Sequence, residues 1–176
     1  MTDKAKKALH DKLVSELQSS DSKIVTKSIN QLREEGQLED IVILFDLLVK
    51  STDEEVKNTI LKFLADIKDK NADLIFIEAI LNEEYKSIQK ELAGICWQSS
   101  IDFTKHVSVF TDLLIKSDFE TAFEAFTVIE NFTGKIESDI KIEEQDKLKD
   151  AIPNAPEEIK GMIHECIHIL DQFESS

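Results

Sequence analysis

The sequence predicts an all-α chain, built as a stack of about five helical hairpins wound into a superhelix. Three observations carry that expectation. Only four glycines and two prolines occur in 176 residues, where average usage would be about 12% of a chain. Folds of many short strands need such residues at every corner, so a sandwich, barrel or propeller is excluded. Apolar residues recur at spacings of three and four almost throughout, as in Ile41, Leu44, Leu47 and Leu48, then Val56, Ile60, Leu64 and Ile67, the helical period. Finally, the helices themselves repeat. Leu44, Ile77 and Phe110 are 33 residues apart in turn, as are Ile41, Leu74 and Val107; Leu47, Ile80 and Leu113; and Leu48, Leu81 and Leu114. Between them, Ile24, Val56 and Ile88, and Leu32, Leu64 and Cys96, recur every 32. Two interleaved apolar sets at one period mark stacked hairpins, each burying one face internally and another against its neighbours.

Ten helices are expected, near 5–19, 21–35, 38–50, 53–69, 72–82, 84–99, 102–116, 118–133, 141–151 and 156–173. Short polar stops separate them: Glu35-Gly36, Lys50-Ser51-Thr52-Asp53, Lys70-Asn71, Ser99-Ser100, Ser117-Asp118 and Thr133-Gly134. Several supply a Ser, Thr, Asp or Asn oxygen to cap the free N–H groups of the next helix. Pro153 and Pro156 break the chain before the last helix. The expected organisation is one domain over 1–176: a capping helix in 1–19, repeats of 32–33 residues over 20–134, and a degenerate C-terminal cap over 135–176.

Residues 40–69, DIVILFDLLVKSTDEEVKNTILKFLADIKD, have an apolar first helix ending Leu47-Leu48. A polar turn with Asp53 follows, then a second helix opening with Val56-Lys57. This unit resembles the HEAT and armadillo repeat families, a likeness that extends at repeat level over roughly 20–134. In 84–99 the Val-basic pair is replaced by Ile88-Gln89. The resemblance implies a right-handed α-solenoid whose second helices line a concave binding surface.

Charge narrows the partners. Lys and Arg total 21 against 36 Asp and Glu, for a formal net charge of −15. Nucleic acids and anionic membranes call for the opposite sign, so neither is expected, whereas a protein or peptide with a basic surface is. No apolar run is long enough to span a bilayer, and the start MTDKAKKALHDKLVSEL lacks the apolar core of a signal peptide. Cys96 and Cys166 are far apart in sequence and read as small buried hydrophobes in a reducing cytosol, so a cytoplasmic location is expected.

Chemistry-bearing motifs are sparse, and no cofactor is expected. His164-Glu165-Cys166-Ile167-His168 spells H-E-x-x-H, which on a helix puts two histidines on one face for zinc with a glutamate as general base. The third His of the related zinc proteases would fall at 174, which is Glu, and the turn glycine at 171, which is Asp. With Ile159 at zero, His164 and His168 lie at about 140° and 180° on the wheel, away from the core face of Ile163, Cys166, Ile167 and Leu170. The motif is expected to be coincidence. The run Glu143-Glu144-Gln145-Asp146 reads as a solvated face, and Phe119, Phe123 and Phe126 as a core stripe.

Trp97 stands apart. It falls opposite the core face of Ile88, Leu92, Ile95 and Cys96, on the side of Lys86 and Lys90. Val128 and Phe132 also fall outside their helix's core face. The same row is otherwise polar: Asn30 and Glu34, Lys62 and Asp66, Gly94 and Gln98. A mid-helix glycine one turn before an aromatic leaves a gap that suits a partner's side chain, and close helix packing explains the glycine equally well. Gly94, Trp97, Gln98, Val128 and Phe132 are therefore the expected protein-binding residues of a non-enzymatic scaffold. The plainer alternative has Trp97 bridging a groove between repeats and Phe132 packing under the cap. Two other functions stay open: a HEAT-like nucleic-acid enzyme similar to the alkylpurine DNA glycosylases, and metal-dependent hydrolysis at His164 and His168.

Overall fold

A computed structural model describes residues 3–35 and 37–173. Among them are ten α-helices and no strand: α1 (Asp3–Glu16), α2 (Ser22–Glu35), α3 (Asp40–Lys50), α4 (Glu54–Ala65), α5 (Ala72–Leu81), α6 (Gln89–Gln98), α7 (Val107–Lys116), α8 (Phe119–Glu130), α9 (Ser138–Ala151) and α10 (Glu157–Gln172). No helix among the described residues is long and apolar enough to cross a membrane. Gly36 and the side chain of Glu34 lie outside the described residues.

Two compact units form, Met1–Ile67 and Lys68–Ser176. In the first, α1 packs on α2, α3 on α4, and α2 on α4, around Leu13, Ile29, Leu32, Leu44, Phe45, Ile60 and Leu64. Asp53 caps α4, accepting from the backbone N–H of Glu55 at 2.8 Å and of Val56 at 3.2 Å. The Ser22 hydroxyl donates to the same carboxylate at 2.5 Å. These bonds, the serine's first, hold Asp53 below the usual carboxylate range. Arg33 pairs with Asp66.

In the second unit the pairs are α5/α6, α7/α8 and α9/α10, with α8 also against α6 and α10, and α7 against α9. An edge-to-face chain of rings runs through it, Phe76–Phe103 at 6.2 Å, Phe103–Phe110 at 6.0 Å, Phe110–Phe132 at 6.1 Å and Phe132–Phe173 at 6.4 Å.

The helical period placed most core positions correctly, and the exceptions have causes. Leu74 and Leu81 were expected in the core beside Ile41 and Leu48, yet both are exposed. The rotation of α5 is set instead by Phe76, packed on Phe103, and by Asp73, which is buried. The Lys105 ammonium lies 2.6 Å from Asp73 and His106 Nε2 lies 3.0 Å from it. With those two groups inward, Leu74 and Leu81, seven residues apart on one face, turn out. Ile24 is exposed because α2 buries Val25, Ser28, Ile29 and Leu32. The helix expected from 84 begins as a 3₁₀ turn over Glu83–Ile88, whose three-residue period buries both Tyr85 and Ile88. Glu144, expected in water, is buried. It accepts from the Thr111 hydroxyl and from Lys147 at 2.5 Å, and Lys147 also reaches Asp112 at 2.8 Å. This network fastens α9 to α7.

Candidate functional site

The neighbouring surfaces of α6 and α8 carry the expected binding residues, so their geometry decides what is offered to a partner. Asp118 starts α8 by accepting from the Thr121 N–H at 2.9 Å, a bond that lowers the pKa of its carboxyl. From there α8 buries Ala122, Ala125, Phe126 and Ile129. Two side-chain links tie α8 to α6. Lys90 donates to Glu120 at 2.9 Å, which raises the lysine's pKa. Trp97 Nε1–H donates to Glu124 Oε2 at 2.6 Å.

Trp97 and Gln98 are exposed as expected, the indole at 38%. Gly94 is buried, and the gap beside it is already filled. A Cβ at position 94 would stand 3.1 Å from Glu124 Oε2. The glycine makes room for the carboxylate of the neighbouring helix that steadies Trp97, so of its two readings the open gap for a partner's side chain is corrected and close helix packing is what the geometry shows.

Val128 and Phe132 need a further correction. They were read as exposed, but their exposures are 2% and 8%. α8 packs against α6, α7 and α10; Val128 lines a cleft beside Cys96 and Trp97 of α6, and Phe132 is wedged between Phe110 and Phe173. The alternative in which Phe132 packs under the cap is the one found. In their place the sequence reading missed Phe119 and Phe123. Both are exposed, Phe123 at 50%, with their rings 6.4 Å apart. Only Phe126 of that stripe enters the core. The signal lay in Ala122 and Ala125, which with Phe126 and Ile129 make up a buried face from which Phe119 and Phe123 are turned aside.

At the C-terminal ends of α6 and α8 a cleft of about 240 Å³ opens, with Trp97, Asp102 and Asn131 among its walls and Val128 and Phe132 in its lining. Asp102 accepts from the Thr104 N–H at 3.0 Å and from the Thr104 hydroxyl.

The remaining candidates are not assembled into sites. His164, Glu165 and His168 are exposed on α10, and His168 Nε2 lies 2.8 Å from Gln172 Nε2. No group of three or more His, Cys, Asp or Glu side chains among the described residues could hold a metal ion. Both cysteines are buried; burial pushes the Cys96 thiol well up and, with the charge of Glu144, that of Cys166 to about 12. Such thiols are poor nucleophiles. No protein-family model matches the sequence, and no curated protein matches it.

Proposed function

We propose that this protein is a non-enzymatic interaction module, a HEAT- or armadillo-like helical-repeat scaffold that binds its partner along α6 and α8. The observation that carries this reading is the outward aromatic set Trp97, Phe119 and Phe123 on adjoining helices, its indole anchored to Glu124. Exposed aromatics whose geometry is already fixed are the side chains that dominate binding energy at interfaces. Phe119 and Phe123, with rings 6.4 Å apart, form an exposed apolar pair, and grouped apolar side chains mark contact surfaces. The contact set is Gly94 as the spacer behind the indole, Trp97, Gln98, Phe119 and Phe123, with Val128 and Phe132 reached through the cleft.

The repeat architecture, a right-handed stack of about five hairpins, draws support from the 32–33-residue period. It also draws support from side-chain links one period long. Arg33 to Asp66, His106 to Asp73 and Thr111 to Glu144 each span 33 residues, and Ser22 to Asp53 spans 31. Neighbour-only contacts of this kind are how solenoids hold together. The charge of −15 favours a protein or peptide partner with a basic surface over nucleic acid or membrane. The two unpaired buried cysteines fit a cytoplasmic location.

The test places a photo-crosslinking amino acid at Phe123, and separately at Lys149 on α9, in the native host. Adducts to one protein from position 123 and not from 149 are expected. Trp97→Ala should then weaken that protein's binding at least tenfold while leaving the fold intact. Equal adducts from both positions, or binding indifferent to Trp97, refutes the reading. Tight DNA binding at moderate salt, or stoichiometric zinc after purification, would replace it.

A further inference from the structure

We propose that the cleft at the ends of α6 and α8 receives an arginine side chain of the protein partner. The inference rests on the interaction reading above and assigns the chemistry of one contact. The last carbonyls of a helix have no intrahelical N–H to accept from, and the C-terminal end carries about half a negative charge. Five of the ten described helices carry a cation there: α2, α3, α4, α7 and α9 place Arg33, Lys50, Lys62, Lys116 and Lys149 in their last turns. Like α1, α5 and α10, neither α6 nor α8 has a basic residue there; Ser99 and Asn131 donate to several of their last carbonyls but bring no positive charge, and α8 ends in Glu130. Their C-terminal ends meet at one cleft.

Asp102 adds a full charge to its wall, and its position is fixed. The Thr104 N–H and hydroxyl hold one oxygen. Beside the other passes Gly134, where any Cβ would stand 2.6 Å from Asp102 Oδ2. Trp97 supplies a flat aromatic wall, held by Glu124. Val128 and Phe132 give an apolar lining for a methylene stem. A cleft of about 240 Å³ is below the usual range for a small-molecule site, about 300–1,000 Å³, and suits one side chain. A planar guanidinium stacks on an indole while donating to a carboxylate; a compact, strongly hydrated ammonium does this less well.

Trp97 is the sole tryptophan, so its emission reads the site directly. The probes are acetylated, amidated tetra-arginine and tetra-lysine peptides, titrated into the full chain at physiological salt. A saturable change in Trp97 emission is expected, with tetra-arginine at least fivefold tighter. Asp102→Asn should weaken it at least fivefold, while Glu165→Gln, of equal net charge on α10, should not. Because Asp102 also anchors Thr104, Ser100→Arg gives a second arm. It puts a cation at the cleft mouth and should block the peptide at least tenfold with the fold retained. Equal affinity for the two peptides, equal effects of Asp102→Asn and Glu165→Gln, or no block by Ser100→Arg overturns the proposal. Partner crosslinking at Phe123 that survives such a result would leave the interaction reading standing without the arginine.

Discussion

Replacing Gly94 with Ala tests the account of the α6–α8 surface most sharply, because two effects of known size oppose each other. Position 94 is mid-helix in α6 (Gln89–Gln98), where Ala is favoured over Gly by about 1 kcal/mol. Against this, the new Cβ would lie 3.1 Å from Glu124 Oε2, 3.4 Å from its Cδ and 3.7 Å from Gln98 Nε2. The first contact is too tight by a few tenths of an ångström. The atom concerned is the end of a flexible side chain, so the carboxylate can retreat. Its bond to Trp97 starts at 2.6 Å and remains a hydrogen bond after such a shift. The retreat costs a fraction of a typical net hydrogen bond, which is about 1 kcal/mol. Gly94→Ala should therefore stabilise the protein by about 0.5 kcal/mol, taking these two terms together. In a Glu124→Ala background it should gain the full amount of about 1 kcal/mol. Urea unfolding of the four members of this double-mutant cycle, followed by circular dichroism, measures both values. A loss of 1–3 kcal/mol in both backgrounds, the range for overpacking, would mean that the α6 and α8 backbones themselves need the glycine. The reasoning would then be wrong.

Two further outcomes follow from burial and charge. Phe132→Ala should cost about 3–5 kcal/mol, the range for a buried aromatic, and Trp97→Ala less than about 2 kcal/mol; urea unfolding compares them, and equal losses would put Trp97 in the core. Asp73 and Asp112 would be raised by burial, but bonds from Lys105 and His106, and from Lys116 and Lys147, hold both below the usual range. A carboxylate depressed in the folded state contributes stability fully present above its unfolded value, about 4, and lost as pH falls through the folded one. The melting temperature should thus be flat from pH 7 to 5 and drop below about pH 4, less steeply in Asp73→Asn; a drop already at pH 6 would point to other groups.

The helices were legible because their determinants are local: a period of three and four, a capping Asp at 53 and 118, and few residues that break helices. Burial was legible wherever a helix had the neighbours the wheel assumed, as at Leu44, Phe110 and Leu114. It failed where a distant element decided the matter. Nothing within residues 118–133 says that Phe173, just past α10, will pack on Phe132. Nothing near Leu74 says that His106 and Lys105 will draw Asp73 inward. The candidate site was half legible. Trp97 and Gln98 could be placed from their own helix, whereas Phe119 and Phe123 shared the spacing of a core stripe and differed from one only in what lay opposite them. Gly94 was conspicuous in the sequence, but its purpose depended on a carboxylate 30 residues away.

The placement of the cysteines and large chromophores has a practical consequence for anyone watching this protein unfold. Trp97, the single tyrosine Tyr85, Cys96 and Cys166 all belong to Lys68–Ser176. Thiols buried as these are react with a labelling reagent only after the helices around them open, so labelling rate becomes a clock for that unit alone. Met1–Ile67 contains no thiol, tyrosine or tryptophan and contributes to neither signal, while its four helices contribute fully to far-ultraviolet ellipticity. Optical and chemical probes of the same sample thus watch different parts of one chain. If the transitions coincide, the two units melt as one; if ellipticity falls while the indole and thiols stay silent, the N-terminal unit has let go first.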